Sequence, residues 1–384
     1  MIDKKLLKRI DWFTLLLVFI LFGIGIVSMA SIMASPFDGQ ESSIGDYMAK
    51  LNLTYVKKQI SGFFVGLAAC IVVIIFDYQT LKPFIKYIYI ANVLVLGALF
   101  LADKQRGVHG WFMISWLDRA IQPAELCKIS IIVMLAKTVS QSMDKNGGNL
   151  KGFRSVLEAV AYCAVPTVLV MLQPDFGTAF VYICILVFMF FVAKIAWGYI
   201  ATAAGTLAAG LPLAYFFLMK PEQQARINVF LDPSLDPAGK GYNVSQSKIA
   251  IGSGQLWGKG FFSSDTMAQL RFVPERHTDF IFAGIVEGIG FVGGTAIIVL
   301  YFILVFRWLY IALKAKDNFG TCIVVGVMGM LIAHVFENIG MTIGLTPVTG
   351  IPLPFISYGG SNLLTNLIGV GLVVNIWMRR PQKR

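Results

Sequence analysis

Pro274-Glu275-Arg276-His277-Thr278-Asp279-Phe280-Ile281-Phe282 decides how this chain is read. A polar segment ends there and an apolar one begins, with Glu275, Arg276, His277 and Asp279 crowded at the boundary. The residues that follow, 280–306, read as a membrane span, which puts Asp279 at or just inside the lipid–water interface. A charge costs roughly 2.5–3.5 kcal/mol at the centre of an inserted helix and less toward its ends. An acid kept at such a place usually faces a polar cavity and has a partner or a task there. The rest of the chain is expected to build that cavity.

Working outward, apolar residues make up 57% of the 384 residues and charged residues 14%, against about 25% charged in ordinary soluble domains. Mean hydropathy is +0.73. The apolar residues come in blocks of the ~20 residues that a bilayer-crossing helix needs. Backbone in hydrocarbon must satisfy its hydrogen bonds within each segment, so the blocks are helices. The fold class is therefore an all-α integral membrane protein with about ten transmembrane helices. They are predicted near residues 12–33, 59–76, 84–101, 122–139, 156–172, 178–193, 199–219, 280–306, 321–345 and 363–378. The first run is too long for a signal-peptide core and reads as a retained span.

Lys4, Lys5, Lys8 and Arg9 precede the first span, and Arg379, Arg380, Lys383 and Arg384 follow the last, which places both termini in the cytoplasm. Residues 1–384 then form a single polytopic membrane domain. Its one long polar segment, 220–278 between spans seven and eight, is an extracytoplasmic loop with an amphipathic, interfacial middle. The net charge of +11 is spread beside the apolar blocks rather than gathered in one stripe, which argues against nucleic acid. Cys70, Cys127, Cys163, Cys184 and Cys322 lie in apolar runs without ligand-like spacing, so packing is expected and neither disulfide nor metal site.

This topology gathers the unusual stretches on the outer face. In Gln122-Pro123-Ala124-Glu125-Leu126-Cys127-Lys128, proline opens a helix with an acid in its first turn, and Glu125 and Lys128 share a face. They are either an intrahelical ion pair, or Lys128 faces the outer cavity and meets an anionic substrate. Gln173-Pro174-Asp175-Phe176-Gly177-Thr178 reads as a second capped start. The long loop carries Arg226, Gly239-Lys240-Gly241, Gln246-Ser247-Lys248 and Gly258-Lys259-Gly260. Its glycines permit close backbone approach and its cations suit phosphate, but the Gly-Lys-Ser/Thr order of a nucleotide loop is missing. Residues 347–361 hold three prolines and three glycines and cannot form regular helix. At membrane depth such backbone survives only against protein or a wet cavity, so it is expected as a re-entrant wall.

Taken together, Arg276-His277-Thr278-Asp279-Phe280-Ile281-Phe282, the loop over 241–260, both Gln-Pro-acid starts and the 347–361 block resemble the SEDS family (shape, elongation, division and sporulation), the RodA and FtsW proteins. The motifs fall in family order over nearly the whole chain. Asn338-Ile339-Gly340-Met341 and the short N-terminus sit nearer the RodA branch. The chain departs from the family pattern at Gly110, Ala124, Gln255 and Gly288.

The resemblance implies a multi-pass protein of the bacterial cytoplasmic (inner) membrane that polymerises lipid II into peptidoglycan for elongation and rod shape. It implies a class B penicillin-binding protein as transpeptidase partner, with other elongation-complex membrane proteins, and membrane lipid around it. Asp279 takes the position of the essential aspartate, and Trp111, Glu125 and Lys128 fall on other required positions. Asp279 is then the base on a sugar hydroxyl, and Lys128, Arg226, Lys248 or Arg276, or a divalent cation (Mg²⁺ or Mn²⁺), meets the pyrophosphate of the undecaprenyl-linked glycan. No organic cofactor is expected. A division-type glycosyltransferase, a lipid II flippase and a non-enzymatic scaffold remain as alternatives. The flippase would need polar groups through the full bilayer depth, and spans two and three offer almost none between their ends.

Overall fold

The structure is a computed structural model describing residues 4–35, 50–101, 110–114, 119–217, 221–237, 239–263, 266–270 and 272–381. The apolar blocks become helices α1 (Trp12–Ile32), α2 (Thr54–Ile75) and α3 (Leu81–Ala98), then α4 (Pro123–Lys145), α5 (Phe153–Leu172), α6 (Phe176–Val192) and α7 (Trp197–Phe217). Two helices of the long loop follow, α8 (Pro221–Leu231) and α9 (Lys240–Ser253). The last three are α10 (Ile281–Leu313), α11 (Asn318–Ile343) and α12 (Gly360–Met378). Among the described residues, nine helices are long and apolar enough to cross a membrane, and α6 is a shorter apolar helix of 17 residues. Each of the ten expected spans therefore falls on a helix. Between α3 and α4, read as plain loop, the chain forms a small antiparallel hairpin of β1 (Phe112–Ile114) and β2 (Arg119–Ile121).

Burial sorts the helices into an inner group and an outer one. The most apolar stretches of α4, α11 and α12 are 78%, 78% and 83% buried, against 28%, 22% and 33% for those of α2, α3 and α5. Small residues set the packing distance where α2 meets α12. A Cβ on Gly66 would lie 2.5 Å from Leu367 Cδ1, and one on Gly371 would lie 3.0 Å from the Cys70 carbonyl oxygen. Lipid supplies no hydrophobic drive between helices, so close packing of this kind is what holds a bundle together. The inner helices also carry the buried polar side chains, Glu125, Lys128, His334, Glu337, Asn338, Asn362 and Asn366.

Both ends of the described chain meet at one end of the bundle. Asp11, before α1, pairs with Arg307 of α10 at 2.6 Å, and Arg9 Nη2 donates to the Arg380 carbonyl at 3.1 Å. The Arg307 and Arg380 guanidiniums lie over the Trp377 ring at 4.6 and 3.5 Å.

At the opposite end the eighth span differs from the sequence expectation. It is longer than 280–306 and is broken at Gly290, whose backbone (φ 70°, ψ −175°) leaves the helical region. The loop after α9 fills the break: Lys259 N and Gly260 N donate to the carbonyls of Glu287 and Gly288, while Phe291 N and Val292 N donate to those of Gln255 and Leu256. A Cβ on Gly290 would fall 2.3 Å from the Leu256 carbonyl oxygen, so only glycine fits. The amphipathic α9 docks its inner face on protein. Gly241, Val244, Ser247 and Ala250 are buried, and the Ser247 hydroxyl donates to the Thr342 carbonyl at 2.8 Å.

Candidate functional site

Asp279 lies in a non-helical turn just before α10, whose cap residue is Phe280. A carboxylate beside a helix N-terminus is favourably placed against the helix dipole. Four attachments hold the turn. Phe280 is buried in a small core with Ala250, Val273 and Ala283. Ser357 Oγ donates to the Thr278 carbonyl at 2.7 Å, and the Tyr358 amide donates to the His277 carbonyl at 3.0 Å. Asn338 of α11 donates to the Asp279 carbonyl at 2.9 Å and to the Ile351 carbonyl at 2.7 Å. Asp279 itself is half-buried. Its Oδ2 faces Gly350, 3.3 Å from where a Cβ there would stand.

The irregular segment between α11 and α12 is thus the strap that organises this end, as its prolines and glycines suggested. It leaves α11 at Gly344 (φ 78°), a left-handed cap, and runs without regular structure to Gly359. Gln59 of α2 ties its far end, donating to the Ser357 carbonyl at 2.9 Å and accepting from the Gly359 amide at 3.2 Å. Tyr55, His277 and Tyr358 pack their rings together, with centroids 4.5 to 5.8 Å apart. Arg276 is half-buried in the same turn as Asp279.

Of the two readings of Glu125 and Lys128, the structure shows the intrahelical ion pair. Lys128 is fully buried and Glu125 is 3% exposed. Lys128 Nζ donates to Glu125 Oε1 at 2.7 Å and lies 2.8 Å from His334 Nε2. Asn362 of α12 donates to Glu125 Oε2 at 3.3 Å, and the other ring nitrogen of His334 lies 2.7 Å from the Met330 carbonyl. The four side chains form a closed knot joining all three inner helices. A buried charge must be paired and hydrogen-bonded, and this knot meets that demand for the lysine without substrate. Beside it, Asp175 caps α6 through the Thr178 amide and hydroxyl at 3.1 and 2.9 Å and accepts from Gln122 Nε2 at 3.0 Å. Burial pushes the Asp175 carboxyl above its usual range, against the pull of those Thr178 bonds.

The remaining candidates are dispersed. Trp111 is half-buried just before β1. Among the described residues it makes no hydrogen bond or ring contact with the Asp279 turn. Arg226 lies on α8, and its side chain is outside the described residues. Lys248 is exposed on α9 and borders a groove against the start of the strap.

Sequence reasoning missed His334, Glu337, Asn338 and Asn362. The signal was available, since His334, Glu337 and Asn338 sit three and four apart on one face of an otherwise apolar helix. It missed Glu287 as well. Fully buried in α10, Glu287 accepts from the Met267 and Ala268 amides at 2.7 and 3.1 Å and from Lys259 Nζ at 3.1 Å, fastening the loop beside the Gly290 break.

The sequence pattern of the cell cycle protein family FtsW/RodA/SpoVE matches residues 11–382. The peptidoglycan glycosyltransferase MrdB of Escherichia coli K12 is 37% identical over 329 residues, covering 85% of this chain and 86% of that protein. The stage V sporulation protein E of Bacillus subtilis is 34% identical over 338 residues, covering 86% and 89%. Among solved structures, a chain from one described as "Structural coordination of polymerization and crosslinking by a peptidoglycan synthase complex" superposes with a TM-score of 0.76 at 26% identity, covering 97% of this chain and 99% of that one. The rod shape determining protein RodA of Thermus thermophilus superposes with a TM-score of 0.68 at 24% identity, covering 97% and 98%, and bears on the fold alone.

Proposed function

The chain belongs to the cell cycle protein family FtsW/RodA/SpoVE, and from that premise we propose that Asp279 is the general base with which it polymerises a lipid-linked disaccharide. The protein is a peptidoglycan glycosyltransferase with a multi-pass membrane fold. The observation that carries the assignment of Asp279 is its placement. It is a half-buried carboxylate in a turn pinned by Asn338, Ser357 and Tyr358, with Gly350 of the adjoining strap facing its Oδ2.

In the reaction, the 4-hydroxyl oxygen of one lipid II bonds to the anomeric carbon of the growing strand. The bond from that carbon to the pyrophosphate oxygen breaks, its electron pair leaving with undecaprenyl pyrophosphate, and the hydroxyl proton passes to Asp279. A positioned base is worth about 10²–10⁴-fold on so weak a nucleophile. Glu125, Lys128, His334 and Asn362 act behind this turn as a rigid brace between the inner helices. Arg276, in the same turn as Asp279, meets negative charge on the substrate.

A divalent cation would arrive with the substrate, since Mg²⁺ is generally held by one or two carboxylates together with substrate phosphates. Among the described residues, no three His, Cys, Asp or Glu side chains converge to cage one without it. The reaction runs at the outer face of the cytoplasmic membrane, beside a class B penicillin-binding protein that crosslinks the product. The matching chain from a peptidoglycan synthase complex supports such a partner. The likeness of Asn338-Ile339-Gly340-Met341 to the RodA branch favours elongation over division.

The test is polymerisation of lipid II by the purified protein, with and without its transpeptidase. Glycan strands from wild-type protein and none from Asp279→Asn are expected. Transport of lipid II across vesicles without polymerisation would replace the enzyme by a flippase.

A further inference from the structure

A groove of about 230 Å³ lies between the end of α8, one face of α9 and the first residues of the strap. Lys240 and Lys248 stand eight residues apart on α9, with the groove-lining Val244 midway, so the two lysines fall on one helical face about 12 Å apart along its axis. Two long side chains at that separation can converge on one anionic group between them. Facing them are the strap backbone and the apolar side chains of Phe230 and Leu231, the latter 75% exposed. The groove is smaller than the roughly 300–1,000 Å³ of a pocket for a whole drug-sized ligand, so it suits a headgroup rather than two sugars.

Its two cations are differently held. Lys240 Nζ donates to the Val348 carbonyl at 3.4 Å. Lys248 lies across the C-terminal cap of α11, a position open only because residue 344 is glycine: a Cβ there would meet Lys248 Cε at 2.2 Å and Nζ at 2.4 Å. The plain structural role for Lys248 would be to bond the last carbonyls of α11, as cations at helix C-termini do. Among the described residues it makes no such bond, and no carboxylate pairs with it. The charge is brought to the groove and left for something else. Gly350, which faces the Asp279 carboxylate, is two residues along the strap from Val348. One segment of backbone therefore touches both the groove and the base.

We propose that this groove seats the diphosphate of the isoprenoid-linked glycosyl donor, with Lys240 and Lys248 on its oxygens and the first isoprene units against Phe230 and Leu231. It is the leaving-group subsite, and it rests on the glycosyltransferase reading above. Lysine is a point charge that needs no fixed fork geometry, which suits a group that must be gripped as charge develops and then released.

The test is binding, with no turnover required. Full-length protein in nanodiscs is titrated with farnesyl diphosphate, inorganic diphosphate and farnesol, using wild type, Lys240→Gln/Lys248→Gln, Lys240→Arg/Lys248→Arg and Asp279→Asn. Farnesyl diphosphate is expected to bind wild type more tightly than either fragment. The glutamine pair should weaken it about tenfold or more, the arginine pair should largely restore it, and Asp279→Asn should bind as wild type does. Tighter binding of inorganic diphosphate than of farnesyl diphosphate would mark a free-phosphate site and overturn the isoprenoid assignment. No measurable binding to wild type, or a glutamine pair within twofold of it, would overturn the groove altogether. Polymerisation with unchanged binding removes the subsite and leaves the enzyme. Lysine-dependent binding in a protein that never polymerises does the reverse.

Discussion

Asn338 holds the main-chain carbonyl of Asp279 at 2.9 Å while the same amide nitrogen holds that of Ile351 at 2.7 Å. One side chain of an inner helix thus fixes the distance between the Asp279 turn and the strap. The contact is made to the main chain of Asp279 and not to its carboxylate.

Replacing Asn338 with alanine removes the donor from one buried and one part-buried carbonyl, and a buried polar group left unpaired costs about 1–3 kcal/mol. A displacement near 1 Å costs up to about 10²-fold in rate. Asn338→Ala is expected to lower the thermal midpoint in detergent and to cut kcat more than it changes KM. A change in KM alone would show that Asn338 serves binding and not the placement of the turn.

Asp279→Asn keeps the size of the side chain and the contacts of the turn, because the turn is held by main-chain carbonyls of residues 277–279. The variant should unfold at the wild-type temperature while polymerisation from lipid II falls by at least ~10²-fold. More than about a tenth of the wild-type rate would remove this residue as the base.

Lys128 makes a different demand. Lys128→Ala leaves Glu125 buried without its cation, a loss of about 3–5 kcal/mol. The double variant Glu125→Gln/Lys128→Met should regain much of that, since the pair is removed together. Exposed Lys86 serves as control, with no measurable change in Lys86→Ala. Additive thermal shifts for the two single substitutions would refute a coupled knot.

Gly290→Ala meets the Leu256 carbonyl oxygen at 2.3 Å and a backbone conformation that side chains rarely adopt, a strain of about 1–3 kcal/mol before the clash is counted. It should free the loop beside the break, seen as faster proteolysis between α9 and α10. Gly23→Ala, with nothing within 4 Å of the added carbon, should be neutral or stabilising by up to ~1 kcal/mol.

The sequence by itself determined the helices and singled out the end of the molecule that carries Asp279 and the strap. Apolar blocks of bilayer length can satisfy their backbone only as helices, so every span from Trp12–Ile32 to Gly360–Met378 was legible, although α4 and α10 run on past their expected ends to Lys145 and Leu313. Asp279 and the proline-rich strap were legible because a charge or an irregular backbone at membrane depth is costly enough to demand a reason. Tertiary structure alone decided which polar groups meet. Lys128 looked available to substrate until α11 supplied His334 and α12 supplied Asn362, 206 residues from Lys128 and 237 from Glu125 along the chain, to enclose the pair. The break at Gly290 was equally silent, because a glycine in an apolar run signals nothing until a distant loop takes the hydrogen bonds its helix gives up. Burial and pairing are properties of neighbours in space, and a single chain read end to end names the groups without saying which of them are already spoken for.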